Sequence, residues 1–276
     1  MSLETSVKTE IEVSKESLHD WRLALATLRE KKGMETVVIH LGNALVDSAS
    51  RLGLHGDVVD LLWEGFLSGQ HMVMNEYAKK EIDRDKRLIE KGLEVMDETA
   101  VRAHGYIEEH NLDNIKARSY RFLGRLADYK GDFTTAIDHY SHAVSSFKKE
   151  SNPLVRVNRL EIQGFLAFSM MKSDRVEDGL ELAKSTFRDF NESEDGLELK
   201  KADYFTWAVW ASGIPIRTVE TLIDKGVLTD KEWAQQWISQ IESILIIPEG
   251  DETWGDKTFE YRKDEVKRVR SKLERF

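Results

Sequence analysis

The chain has 276 residues, 41% of them hydrophobic and 33% charged, with 3 prolines, no cysteine and a net charge of −10. The lack of cysteine rules out disulfides, thiolate metal sites and a cysteine nucleophile, and the acidic balance argues against bulk nucleic-acid binding. A charged fraction above the usual quarter or so, with abundant Leu, Ala, Glu and Lys, favours exposed amphipathic helices.

Residues 1–14, from the polar MSLETSVKTEIEVS, read as a flexible N-terminal tail with no apolar signal-peptide core. No run reaches the ~18 apolar residues of a membrane span, so the expected location is cytoplasmic. The first helical periodicity is Leu18, Trp21, Leu25 and Leu28, closed by Gly33. A second helix spans 35–52, with Val38, Leu41, Leu45 and Ala49 on one face. A third starts at Asp57 after Gly53 and Gly56. Residues 83–110 form one long helix, or two broken near Thr99, on the stripe Leu88, Gly92, Met96, Ala100, Ala103 and Ile107. Further helices are predicted over 113–129, 132–149, 153–172, 174–190, 198–211, 215–225, 229–246 and 258–274. Asn152 and Pro153 read as an N-cap and first-turn proline, and Thr229 with Glu232 as a capping box. No strand alternation of useful length occurs, and helix after helix with short turns means a bundle or a solenoid.

Residues 117–148 read ARSYRFLGRLADYKGDFTTAIDHYSHAVSSFK. Tyr120, Leu123 and Gly124 are followed by the turn Gly131-Asp132-Phe133 and then by Ala136, Tyr140 and Ala143. Small residues sit where two antiparallel helices must cross, Gly131 suits a left-handed helix stop, and Asp132 suits the next N-cap. This segment resembles a tetratricopeptide repeat. Fainter versions occur around Leu166-Ala167 with Gly179, Ala183 and Thr186, and around Leu41-Gly42 with Gly56-Asp57-Val58. The resemblance implies an all-α fold of antiparallel helical hairpins stacked as a tetratricopeptide-like α/α superhelix. N-terminal helical pairs would fill 15–111, repeats 112–246, and a loop with a C-terminal capping helix 247–276, in one continuous solenoid.

The resemblance also implies that first helices line a concave groove. Arg118, Arg121 and Arg125 would then project from one first helix, with Arg156 and Arg159 beside them on the next. Five guanidinium groups suit an acidic peptide segment. The alternative is a solvated face on which Arg121 and Arg125 pair with Asp128 or with acids across the groove. Charge is polarised along the chain: residues 113–172 hold ten Lys/Arg against six Asp/Glu, and 173–256 hold eight against nineteen.

No HExxH, phosphate-loop or dinucleotide-binding motif is present, and His139 with His142 makes no metal set, so neither cofactor nor metal is expected and the chain reads as a non-enzyme. Tyr204, Phe205, Trp207 and Trp210, with Trp233 and Trp237, either pack the C-terminal core or line a ligand pocket. Trp254, in the acidic loop, either tucks back or waits for a partner. The last helix, with Phe259, Val266, Val269, Leu273 and Phe276 aligned, either caps the array or forms a homodimer. The leading expectation is a protein–protein interaction scaffold binding a peptide or protein with an acidic segment; the alternative is a helical small-molecule sensor or enzyme.

Overall fold

The structure is a computed structural model that describes residues 13–148, 157–246 and 258–276. Arg156, Trp254, the 247–257 loop and most of the N-terminal tail lie outside the described residues. Within them the fold is all-α: twelve α-helices, one short 3-10 turn and no strand.

Two compact units divide the chain: residues 1–130 with 145–155, and 131–144 with 156–276. The division falls at the turn of the 117–148 segment. The first unit holds α1 (Lys15–Arg29), α2 (Glu35–Arg51), α3 (His55–Tyr77), α4 (Lys86–Glu109) and α5 (Lys116–Lys130). The second holds α6 (Phe133–Ser146), α7 (Arg159–Lys172), α8 (Val176–Glu192), α9 (Glu194–Ala202), α10 (Tyr204–Asp224), α11 (Lys231–Ile244) and α12 (Glu260–Arg275).

In the first unit each helix packs on its chain neighbour, and α1 also reaches α3. Ser14 belongs to the fold: its hydroxyl and that of Ser17 form a reciprocal capping box for α1. The apolar stripe of α4 is buried from Met96 to Ile107. The helix runs unbroken through Thr99, whose hydroxyl donates to the Val95 carbonyl at 2.6 Å and so finds its partner inside the helix. At Gly69 and Gly92 the backbones of α3 and α4 touch: a Cβ on either residue would stand 2.8 Å from the other's carbonyl oxygen. Gly33, at φ 89°, adopts the left-handed conformation that turns α1 back toward α2.

In the second unit, Gly179, Ala183, Thr186 and Phe190 form the buried stripe of α8. Tyr140 of α6 stacks on Phe165 of α7 at 5.8 Å. Gly131 has φ 76°, and the Asp132 carboxylate accepts from the Thr135 amide at 3.1 Å, opening α6. That hydrogen bond holds the Asp132 carboxyl below its usual range.

Three predicted boundaries are corrected. The seventh helix begins at Arg159, because Asn158 is extended and its side chain accepts from the Leu160 amide at 2.7 Å; Asn152 and Pro153 lie outside the described residues. Asp230, not Thr229, caps α11, accepting from the Trp233 amide at 2.8 Å. The predicted break before Pro215 is absent, and α10 runs through it. An internal proline costs about 3 kcal/mol. Trp207, Ile214, Ile216, Val219 and Leu222 of this helix are all buried, and each returns roughly 1.5–3 kcal/mol, so packing wins. Six residues before the proline, the Val209 carbonyl accepts from Arg262 Nη2 of α12 at 2.9 Å.

Candidate functional site

Side chains on α1, α3 and α5 meet through charge. Asp60 of α3 is buried and accepts from Arg22 of α1 through one oxygen and from Arg118 of α5 through the other. Arg22 also bonds Asp57, one turn earlier on α3. Farther along α3, Glu64 accepts from Arg29 Nη1 at 2.8 Å. Burial pushes the Glu64 carboxyl above its usual value, with Arg29 opposing that shift. Asp57, Asp60 and Glu64 fall at helical neighbour spacing, and Arg22 and Arg29 replace apolar residues in the buried stripe of α1. As a result Trp21, expected in that stripe, is 36% exposed.

The five expected arginines divide. Arg118 and Arg121 are buried, at 3% and 5% exposure. Arg118 bonds Asp60, and the Arg121 guanidinium lies 4.6 Å from the Trp63 ring centre. Trp63 in turn packs on Phe122 at 4.2 Å, and Phe122 stacks on Phe66 at 4.7 Å. Arg125 is half-buried, 3.1 Å from Asp128 and 3.2 Å from the Tyr129 hydroxyl. Arg159 is exposed at the start of α7, and Arg156 lies outside the described residues. The arginines of α5 therefore sit within a web of carboxylates and rings, with Arg125 the outermost of the three.

The face shared by α1, α3 and α5 has a definite chemistry. Removing either partner of a buried ion pair strands the other, so Asp60 keeps two guanidinium groups in place at once. The aromatic rings beside it add a cation–π contact that favours arginine over lysine.

The C-terminal aromatics fill a core. Trp207 is 1% exposed and its Nε1 donates to the Phe190 carbonyl at 2.8 Å. Trp237 packs edge-on against Phe187 at 5.6 Å, and Trp233 lies 4.9 Å from Trp237. Phe259, which precedes α12, and Val266, Val269 and Leu273 of α12 join the same cluster, while Phe276 is exposed. Among the described residues no group of three or more His, Asp or Glu side chains is arranged to hold a metal ion. His142 instead bonds the Asp138 carbonyl at 2.8 Å. No described helix is long and apolar enough to cross a membrane.

Asp57, Asp60 and Glu64 of α3 are the residues that sequence reasoning missed. Three acids at helical spacing within the otherwise apolar stretch 57–67 of α3 were the available signal. Comparison of the chain with protein-family models, curated proteins and solved structures gives no match.

Proposed function

We propose that this protein is a helical interaction scaffold of tetratricopeptide type that receives a peptide or protein partner bearing an acidic segment. The observation that carries this reading is the Arg22–Asp60–Arg118 ladder, which ties alternate helices α1, α3 and α5 side by side. In hairpin arrays, alternate helices abutting in this way give one extended face to a partner. The basic surplus of residues 113–172 selects for negative charge on that partner.

In this reading the arginines have two roles. Arg118 and Arg121 position α5 from within. Arg125, the outermost of the three, meets the acidic ligand. Arg125 would exchange its bond to Asp128 for one to a partner carboxylate, so the gain per contact is modest and binding depends on several contacts together.

Fluorescence anisotropy of a labelled Asp/Glu-rich peptide against its Asn/Gln counterpart tests the proposal. The acidic peptide should bind, should weaken as salt rises, and should weaken at least tenfold in the charge-reversed Arg125→Glu variant while circular dichroism stays unchanged. Equal binding of the two peptides, or none of either, would sink the reading.

A further inference from the structure

One end of the first unit carries a cleft, lined mostly by polar residues, that is separate from the α5 arginines. It lies where the α1–α2 turn meets the C-terminal part of α3, has a volume of about 220 Å³, and is lined by Arg29, Glu30, Lys32, Glu35, His71, Met74 and Asn75. That is below the ~300–1,000 Å³ of sites for drug-sized ligands and suits a single extended side chain or its free equivalent.

The hydrogen-bonding character of the cleft follows from its side chains. His71 Nδ1 lies 3.3 Å from the Arg29 carbonyl. A carbonyl only accepts, so Nδ1 carries the proton and Nε2 keeps its lone pair. Burial, and then the Arg29 cation, lower the His71 pKa, which keeps the ring neutral at neutral pH. Glu35 is 8% exposed, in the first turn of α2, where the helix dipole stabilises negative charge. Its Oε1 accepts from Asn75 Nδ2 at 3.0 Å, which leaves Glu35 Oε2 and Asn75 Oδ1 as acceptors. The lining thus presents an imidazole nitrogen, a carboxylate oxygen and an amide oxygen, all of which accept.

The charge balance agrees. Arg29 is neutralised by Glu30 at 2.7 Å and Glu64 at 2.8 Å. Lys32 is exposed and acts electrostatically on Glu76 as well. Glu35 is then the buried charge with a neutral hydrogen-bond partner, and it favours a cation. Met74, 44% exposed at the rim, offers an apolar wall to a methylene stem.

We propose that this cleft binds an alkylguanidinium or alkylammonium group, its N–H donors directed to Glu35, His71 Nε2 and Asn75. Such a group comes from a free small cation or from an Arg or Lys side chain of a peptide.

The test uses the full chain and nuclear magnetic resonance of its imidazole protons, with the His71 signal assigned by its loss in His71→Asn. Ethylguanidinium and acetyl-arginine amide are titrated separately, with tetramethylammonium as a cation that has no N–H. The His71 signal should move saturably with the first two and stay fixed with the third. Glu35→Gln should weaken binding at least tenfold, and Lys32→Met, which removes a like charge, should strengthen it severalfold. Tighter binding of acetyl-arginine amide than of ethylguanidinium assigns the site to a peptide side chain, and equal affinity assigns it to the free ion. No movement of His71, equal movement with tetramethylammonium, undiminished binding in Glu35→Gln, or weakened binding in Lys32→Met overturns the proposal. Failure of acidic-peptide binding leaves this site unaffected, because its cation contacts, Glu35, His71 and Asn75, are not among the residues that meet the acidic peptide.

Discussion

Gly179 of α8 lies against the Ala167 carbonyl of α7 so closely that a Cβ at position 179 would stand 2.7 Å from that oxygen and 2.6 Å from Met171. Backbone offers no room to yield, so the two helices would have to separate. Gly179→Ala should destabilise the protein by about 1–3 kcal/mol, the range for overpacking a tight interior. The urea midpoint checks this, and an unchanged midpoint would mean that the contact relaxes without strain.

Asp60 supports two arginines, and its loss takes a buried carboxylate from both, with Arg22 keeping the more exposed Asp57. Asp60→Asn should destabilise by about 3–5 kcal/mol. Asp57→Asn should have a smaller effect, because Asp57 is 27% exposed and Arg22 retains Asp60. Equal midpoints for the two variants would contradict the idea that Asp60 is the shared counterion.

The Trp207 indole satisfies the Phe190 carbonyl, one of the last four carbonyls of α8, which find no partner inside their own helix. Trp207→Phe should cost about 1–3 kcal/mol by stranding that acceptor, and Trp207→Ala about 3–5 kcal/mol by adding a cavity. Differential scanning calorimetry of the pair separates the hydrogen bond from the packing.

Two groups give stability opposite dependences on pH. The folded pKa of His71 lies below the ordinary 6.5, so the unfolded chain binds the proton first. The His71 contribution is complete above ~6.5 and is lost as pH falls through the folded value. The folded pKa of Glu64 lies above the ordinary 4.5, so its contribution is complete below that value and is lost as pH rises through the folded one. Urea midpoints measured from pH 7 to pH 4 should therefore fall less steeply in His71→Gln and more steeply in Glu64→Gln than in the parent. Parallel curves for all three proteins would count against both assignments.

Local patterns made the helices readable. The stripe of α4 from Gly92 to Ile107, the turn at Gly131-Asp132 and the small residues Gly179, Ala183 and Thr186 all follow from rules spanning a few positions. The neighbouring pair Arg125 and Asp128 was readable for the same reason. What escaped needed partners far along the chain. Arg22 and Arg29 occupy core positions of α1 because acids on α3, 35 and 38 residues away, neutralise them. Arg118 meets Asp60 across 58 residues. An arginine with its counter-charge that distant reads as surface. Pro215 misled in the opposite sense, since a strong local stop signal was overridden by burial along the whole of α10.

Because one carboxylate restrains guanidinium groups from two helices distant in sequence, positions 22, 60 and 118 cannot drift independently. A neutral residue at 60 takes a buried carboxylate from both Arg22 and Arg118, Arg22 keeping the more exposed Asp57, and a neutral residue at 22 or 118 removes one of the two arginines that Asp60 holds. Among descendants of a common ancestor, the three sites should therefore be inherited as a single character. They should be kept together or exchanged together for an apolar trio, with mixed combinations confined to lineages under weak selection.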